Sequence, residues 1–188
     1  ILICFTYAPN NYDSVAYRLS RAYLYIGQGS VMHLPAGDFR MITYPFDAAL
    51  SYLAVAIHEL AGRWNNLFSL VCWAIGGIAV HAAARELGAN RTTSLLAAML
   101  FLTAPSVLIS ASSTNDDMIA GVPMAIAVMF GVRWWRTARP LDLAFAAASV
   151  GLSVGSKLHL VFLLPVGAAF MLVLVARLVR SGRLAAEW

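Results

Sequence analysis

Long apolar runs separated by short charged loops dominate the sequence after residue 66, and they constrain the fold more than any other feature. A helix needs about 20 mostly apolar residues to cross the hydrocarbon core of a bilayer. Four runs meet that standard and a fifth is weaker: residues 67–84, 92–110, 118–132 and 158–176, with the weaker run at 143–154. The pattern predicts an all-α fold, a polytopic transmembrane helical bundle.

Composition agrees with a membrane protein. The chain is 61% hydrophobic and 12% charged, whereas a soluble domain carries about 25% charged residues. The net charge of +4 comes from arginines grouped between the apolar runs, which is typical of membrane topology and not of a nucleic-acid partner. The sequence also contains no phosphate-binding glycine loop, zinc-protease motif or serine-hydrolase motif.

The first 66 residues have a different organisation. Residues 1–8 are typical of the end of a first span, and we expect residues 1–188 to be a single transmembrane domain and a fragment of a longer chain. Residues 9–66 are predicted to form one large outer loop with two interfacial amphipathic helices, at 14–26 and 45–62. About five further spans would follow within residues 67–180.

Segment 45–62 decides the topology. It is apolar, but Asp47, His58 and Glu59 leave only residues 48–57 uncharged, which is too short to cross, and each charge inside a membrane costs about 2.5–3.5 kcal/mol on insertion scales. We therefore predict that it lies along the surface. Since short arginine-rich loops are cytoplasmic, the loop 9–66, the turn 112–117 and Lys157 would share the outer face.

Segment 14–26 is also predicted to lie on the membrane surface. Its apolar residues fall on one helical stripe, and Arg18 and Arg21 lie away from that stripe. The stripe consists of Val15, Leu19, Ala22 and Ile26.

Three polar groups on the predicted outer face are candidates for chemistry, and each has a structural alternative. Asp13 suits a general base at the interface or the N-cap of the next helix. Asp116 and Asp117 suit a site for a metal, an acceptor sugar or an acceptor amine, or a capped and solvated turn. Lys157 suits a contact with a lipid phosphate or a turn with a snorkelling side chain.

A weaker candidate is the pair His58-Glu59. These residues would suit a metal site together with an acid of the outer face, but such a pair is more typical of the wet edge of an interfacial helix.

An ordered series of short motifs runs along nearly the whole chain: Tyr12-Asp13-Ser14, Tyr17-Arg18-Leu19, Gly29-Ser30-Val31, Tyr44-Pro45, Asn65-Asn66-Leu67, Ala84-Arg85-Glu86-Leu87-Gly88, Ala111-Ser112-Ser113-Thr114-Asn115-Asp116 and Ser156-Lys157. Their order and spacing resemble the N-terminal portion of the C-type glycosyltransferase superfamily. The likeness is greatest to the bacterial relatives of dolichyl-phosphate-mannose protein mannosyltransferases and of the aminoarabinose transferase.

The resemblance implies roles for the polar residues. Asp13 would be the base that deprotonates the acceptor. Asp116, together with Asp117, would be the second acidic position, which binds the acceptor or a metal. Lys157 would contact the donor phosphate, and Arg18, where relatives often carry His, is a second candidate for that contact.

The implied reaction is transfer of a sugar from a polyprenyl-phosphate donor to an acceptor hydroxyl or amine on the outer face of a bacterial inner membrane. The donor's tail would stay among the membrane lipids, and the leaving phosphate would need positive charge or a divalent metal ion. Relatives continue with more spans that hold part of the donor site, so we do not expect this chain alone to form a complete active site.

The main alternative is a non-catalytic structural subunit of a larger membrane protein complex, derived from the same fold. It would have other membrane subunits as partners, and its acids would face no cavity. A transporter fragment fits less well, because transporters place broken helices and charges near the bilayer midplane.

Overall fold

The computed structural model describes residues 11–32, 37–58, 62 and 64–180, and these residues are helical with short connections. The predicted end of a first span at 1–8 and Glu59 lie outside the described residues. In chain order, the elements are a π-helical turn (Ser14–Arg18), α1 (Leu19–Gln28), α2 (Arg40–Thr43), α3 (Asp47–Ala56), α4 (Leu67–Glu86), α5 (Arg91–Thr103), α6 (Pro105–Ala111), α7 (Asp116–Thr137), α8 (Pro140–Ser156), a 3-10 segment (Leu158–Leu163) and α9 (Leu164–Arg180).

Helix α7 is the centre of the bundle, with α4 and α8 packed against it and α5 packed against α4. Among the described residues, α4 with 20 residues and α7 with 22 are long and apolar enough to cross a membrane. These two helices agree with the runs predicted at 67–84 and 118–132. Large apolar side chains on the bundle face outward, as helices surrounded by lipid require: Ile78, Leu100, Ile109 and Leu152.

The span predicted at 92–110 is broken in the structure. The run folds as two helices, α5 and α6, whose axes differ by 62°. Ala104 joins them with an extended backbone, at φ −60° and ψ 128°, and Pro105 begins α6. A residue before proline is pushed out of the helical region because the proline ring crowds its backbone, so the break follows from the sequence. The bent pair would make a third crossing if it counts as one span.

The last apolar run also differs from the single helix predicted at 158–176. It begins as a 3-10 segment and becomes α-helical only from Leu164. Pro165 has no N–H to donate to the carbonyl of Val161, so an α-helical ladder cannot run unbroken through this point. Helix α8 has 17 residues and is about 26 Å long, which is shorter than a hydrocarbon core of about 30 Å. The apolar helix Leu158–Ala169 is also shorter than a typical span. The fourth and fifth spans therefore stay predictions.

The stripe predicted on segment 14–26 is wrong at its first turn. Val15 is 59% exposed, whereas Arg18 and Arg21 are each 7% exposed. The segment starts with the π-helical turn, which holds more residues per turn than an α-helix and so rotates Val15 out of register with Leu19. The two arginines consequently face the interior of the protein.

Helix α3 is short, as the charges flanking it led us to expect. Its ten residues span about 15 Å, half of a hydrocarbon core. It contacts α1, α4, α7 and α8, so it closes one end of the bundle. Its first residue, Asp47, lies directly against Gly155 of α8, where an added Cβ would overlap the carboxylate with its Cγ at 2.9 Å.

We expect Gly155→Ala to lower the free energy of unfolding by about 1–3 kcal/mol, because the new methyl group is overpacked against Asp47. Gly151→Ala is the matched control on the same helix face, since nothing lies within 4 Å of its added Cβ and alanine is the better helix former. Thermal unfolding of the full protein in detergent measures both. Asp47→Ala should rescue Gly155→Ala, and a lack of rescue would contradict this origin of the loss.

Candidate functional site

A group of charged side chains from three separate segments meets at the end of the bundle that α3 closes. We call it the charged cluster; its members are Asp13, Arg18, Asp116, Asp117 and Lys157. At its centre is the Asp116 carboxylate, whose side chain is 11% exposed. Its Oδ1 lies 2.7 Å from Nη2 of Arg18 and 3.6 Å from Nζ of Lys157. Buried charges are stable only when paired, and these contacts supply the pairing.

The π-helical turn is fastened to the turn before α7 through Arg18 and Ser14. The Arg18 guanidinium donates to Oδ1 of Asn115 as well as pairing with Asp116. The Ser14 hydroxyl donates to the carbonyl of Thr114 over 3.1 Å. The first loop and the second acidic position are thereby held in one place, although about 100 residues separate them in sequence.

Asp13 lies at the edge of the charged cluster with its side chain 47% exposed. Its carboxylate is 3.5 Å from Arg18 and 3.8 Å from Arg40. The side chain makes no capping hydrogen bond; Oδ1 of Asn11 accepts the N–H of Ser14 instead, over 2.7 Å. The N-cap alternative for Asp13 is therefore wrong, and this carboxylate is accessible at the protein surface.

Asp116 and Asp117 do not cap α7 either. They occupy its first turn, where the positive end of the helix dipole favours carboxylates. Asp117 pairs with Lys157 and accepts from the side chain of Asn115. The alternative of a solvated turn is wrong for Asp116, which is buried, whereas the Asp117 side chain is 42% exposed.

Lys157 lies in the extended connection after α8 and is 27% exposed at its side chain. Burial alone would lower the pKa of its ammonium group, but the pairing with Asp117 and Asp116 outweighs burial and raises that pKa. Lys157 is therefore a fixed positive charge at neutral pH, held between two carboxylates.

Arg40 holds the segment before α3 against the charged cluster through its ion pair with Asp13. No feature of the sequence pattern indicated a role for Arg40. It makes a 2.6 Å ion pair with Asp38, whose hydrogen bonds to Arg40 lower the pKa of Asp38. Its guanidinium stacks over the ring of Tyr17 at 4.5 Å, and Arg18 lies near the same ring at 5.1 Å. Burial raises the pKa of Tyr17, so its phenol is neutral.

A narrow cleft of about 40 Å³ opens beside the charged cluster. That volume admits water molecules and is too small for a sugar without widening. Asp13 and Asp117 do not line it. Asp117 borders a larger, mostly apolar groove of about 310 Å³ between α6 and α7. The lining of the cleft is formed by Tyr17, Arg18, Arg21, Tyr44, Pro45, Ala48, Ala49, Asp116, Ser156, Lys157, Leu158 and His159.

The described residues of this end do not fit a divalent metal ion. Within the described parts of the chain, no group of three or more His, Cys, Asp or Glu side chains is arranged to hold one. The carboxylates of Asp116 and Asp117 face the cations Arg18 and Lys157, which would repel a metal. His58 is exposed just after α3, and its predicted partner Glu59 lies outside the described residues.

Comparison with protein families gives a match to the model of the dolichyl-phosphate-mannose-protein mannosyltransferase family over residues 45–185. The match covers more than half of the chain. This chain belongs to that family. The matched range includes Asp116, Asp117 and Lys157, whereas Asp13 and Arg18 precede it. Membership indicates an integral membrane protein with glycosyltransferase activity in general and a lipid-linked sugar donor.

Comparisons with curated proteins and with solved structures found no match.

We expect Arg18→Met to lower the free energy of unfolding by about 3 kcal/mol, because the buried Asp116 carboxylate loses its nearest partner and keeps only Lys157. Replacing both members, as Arg18→Met with Asp116→Leu, should recover most of that loss. Denaturant unfolding of the full protein in detergent measures the effect.

Arg136→Met is the matched control, since Arg136 pairs with Glu86 at the exposed far end of α7, with its side chain 57% exposed. Exposed pairs contribute about 0–1 kcal/mol. Equal losses for Arg18→Met and Arg136→Met would show that the Arg18 pair is not a buried one.

Proposed function

We propose that the chain belongs to an enzyme that transfers a sugar from a polyprenyl-phosphate donor to an acceptor on the outer face of a bacterial inner membrane. One observation carries this proposal: an accessible carboxylate, Asp13, lies beside the buried cation Arg18 at one end of a bundle of apolar helices. A donor with its tail in the lipid would present its phosphate and sugar at such an end.

Asp13 is proposed to be the general base. Its side chain is half exposed, and its ion pairs with described residues are long, at 3.5 and 3.8 Å, so an acceptor can reach it. The acceptor O–H or N–H transfers its proton to this carboxylate as the acceptor atom bonds to the anomeric carbon of the sugar. A positioned base contributes about 10²–10⁴-fold to such a step.

The bond from the anomeric carbon to the phosphate oxygen breaks as the new bond forms, and its electron pair stays on the phosphate. Attack from the opposite side inverts the anomeric centre. Arg18 and Lys157 are proposed to stabilise the charge that develops on the phosphate, because fixed cations in a partly dry site cost no reorganisation during the reaction. Both are held in place by Asp116, which lies between them.

Asp116 and Asp117 are proposed to orient these two cations and to meet the acceptor, and no metal takes part in the scheme. The structural-subunit alternative predicts acids that face no cavity. Asp116 lines the cleft, which favours the enzyme.

We expect Asp13→Asn to lower sugar transfer by about 10²–10⁴-fold, because asparagine cannot accept the acceptor proton. The assay uses the full-length protein in membrane vesicles with a polyprenyl-phosphate-linked sugar as donor. Donor affinity should change little, since the assigned loss is in proton transfer.

Glu86→Gln is the control, an acid in an ion pair at the other end of the bundle; it should leave transfer unchanged. Asp13→Glu, which restores a carboxylate, should recover part of the activity. Full activity in Asp13→Asn would rule out the assignment of the base.

A further inference from the structure

Arg21 is a buried arginine that lines the cleft, and no acidic residue in the described part of the chain pairs with it. It is 7% exposed. Its Nε donates to the hydroxyl of Tyr25 at 2.9 Å, and its Nη1 donates to the carbonyls of Tyr44 and Pro45 at 2.8 and 3.3 Å. All three acceptors are neutral. Among the described residues, no carboxylate pairs with its guanidinium and no acceptor is bonded to its Nη2.

The other two strong cations of the cleft are already neutralised. Arg18 pairs with Asp116 and Asp13, and Lys157 pairs with Asp117 and Asp116. An anion that approached either of them would also meet a carboxylate. Among the described residues, Arg21 is therefore the strong cation of the cleft that no carboxylate pairs with. An uncompensated buried charge is unfavourable in a folded protein, and Arg21 lines the cleft, which must widen to admit more than water.

We propose that Arg21 binds the phosphate group of the lipid ligand in this cleft. The inference rests on the proposed function and adds Arg21 to Lys157 and Arg18 as a contact of that phosphate. Nη2, to which no acceptor of the described residues is bonded, offers two N–H donors. Charge-assisted hydrogen bonds from arginine to phosphate are among the stronger polar contacts in proteins.

The contacts of Arg21 also fix its orientation. The carbonyls of Tyr44 and Pro45 and the hydroxyl of Tyr25 hold three of its five N–H groups. The ring of Phe46 lies 5.9 Å from the guanidinium carbon. A guanidinium that is already oriented loses little freedom when it binds a ligand. Tyr25 belongs to α1, whereas Tyr44, Pro45 and Phe46 belong to the segment before α3, so both segments set the position of the charge.

The test measures ligand binding to the full-length protein in detergent, with farnesyl phosphate as the probe and farnesol as the same lipid without phosphate. The wild type should bind farnesyl phosphate at least about 10-fold more tightly than farnesol. Arg21→Gln should weaken farnesyl phosphate binding by about 10–100-fold, the range for loss of hydrogen bonds to a charged group, and should leave farnesol binding unchanged. Arg21→Lys keeps the charge without the planar fork and should fall between the two.

Arg91→Gln is the matched control, an exposed arginine at the start of α5, and it should bind as the wild type does. Inorganic phosphate separates a free phosphate from a lipid-borne one; it should compete at least about 10-fold more weakly than farnesyl phosphate, and equal competition would overturn the lipid assignment. Unchanged farnesyl phosphate binding in Arg21→Gln, or an equal loss of farnesol binding, would overturn the role of Arg21.

The unfolding temperature without ligand is measured for each variant, because Arg21 also joins α1 to the loop before α3. If Arg21→Gln does not fold, the binding measurement on Arg21→Lys takes its place as the test. Wild-type affinity of Arg21→Lys for farnesyl phosphate would then overturn the proposal. Sugar transfer is measured on the same preparations. Transfer by the wild type with normal phosphate binding in Arg21→Gln defeats this inference alone. Arg21-dependent phosphate binding without any transfer defeats the proposed function alone.

Discussion

The buried ion pair between Arg18 and Asp116 is the interaction on which the rest of this end of the protein depends. A carboxylate with its side chain 11% exposed is stable only with a close partner, because removing a charge from water costs several kcal/mol even after relaxation. Because of that requirement, Arg18 of the π-helical turn contacts the start of α7, and Lys157 after α8 lies close to the same carboxylate. The helices supply the scaffold, and the pair fixes where the first loop lies on it.

The same pairing divides the charges of this end into two kinds. Arg18 and Lys157 both pair with Asp116, so the negative charge of that carboxylate weakens their attraction for an approaching anion. Arg21 donates to neutral oxygens, which do not offset its positive charge. Asp13 is the accessible acid at the edge. The Arg18–Asp116 pair thus contacts both the proposed base and the same cleft as the proposed anion-binding arginine.

The long helices could be predicted from the sequence because length and apolarity decide whether a segment spans the membrane. The order of the predicted spans also placed Asp13, Asp116 and Lys157 at one end of the bundle. The sequence did not predict the break at Pro105, because proline within an apolar run is compatible with either a kink or a break. The π-helical turn has no sequence signature, so the burial of Arg18 was missed. Arg21 was missed because its partners are backbone carbonyls, which any residue provides.

The charge change of the proposed reaction explains why an uncompensated arginine belongs in the cleft. A sugar-phosphate diester carries one negative charge, and its leaving group, a phosphate monoester, carries nearly a second. Interactions accelerate a reaction only if they strengthen in the transition state. Arg18 and Lys157 are already engaged with carboxylates, so their response to the growing charge is partly cancelled. No carboxylate of the described residues opposes Arg21 in this way, and its attraction therefore grows most as the sugar leaves.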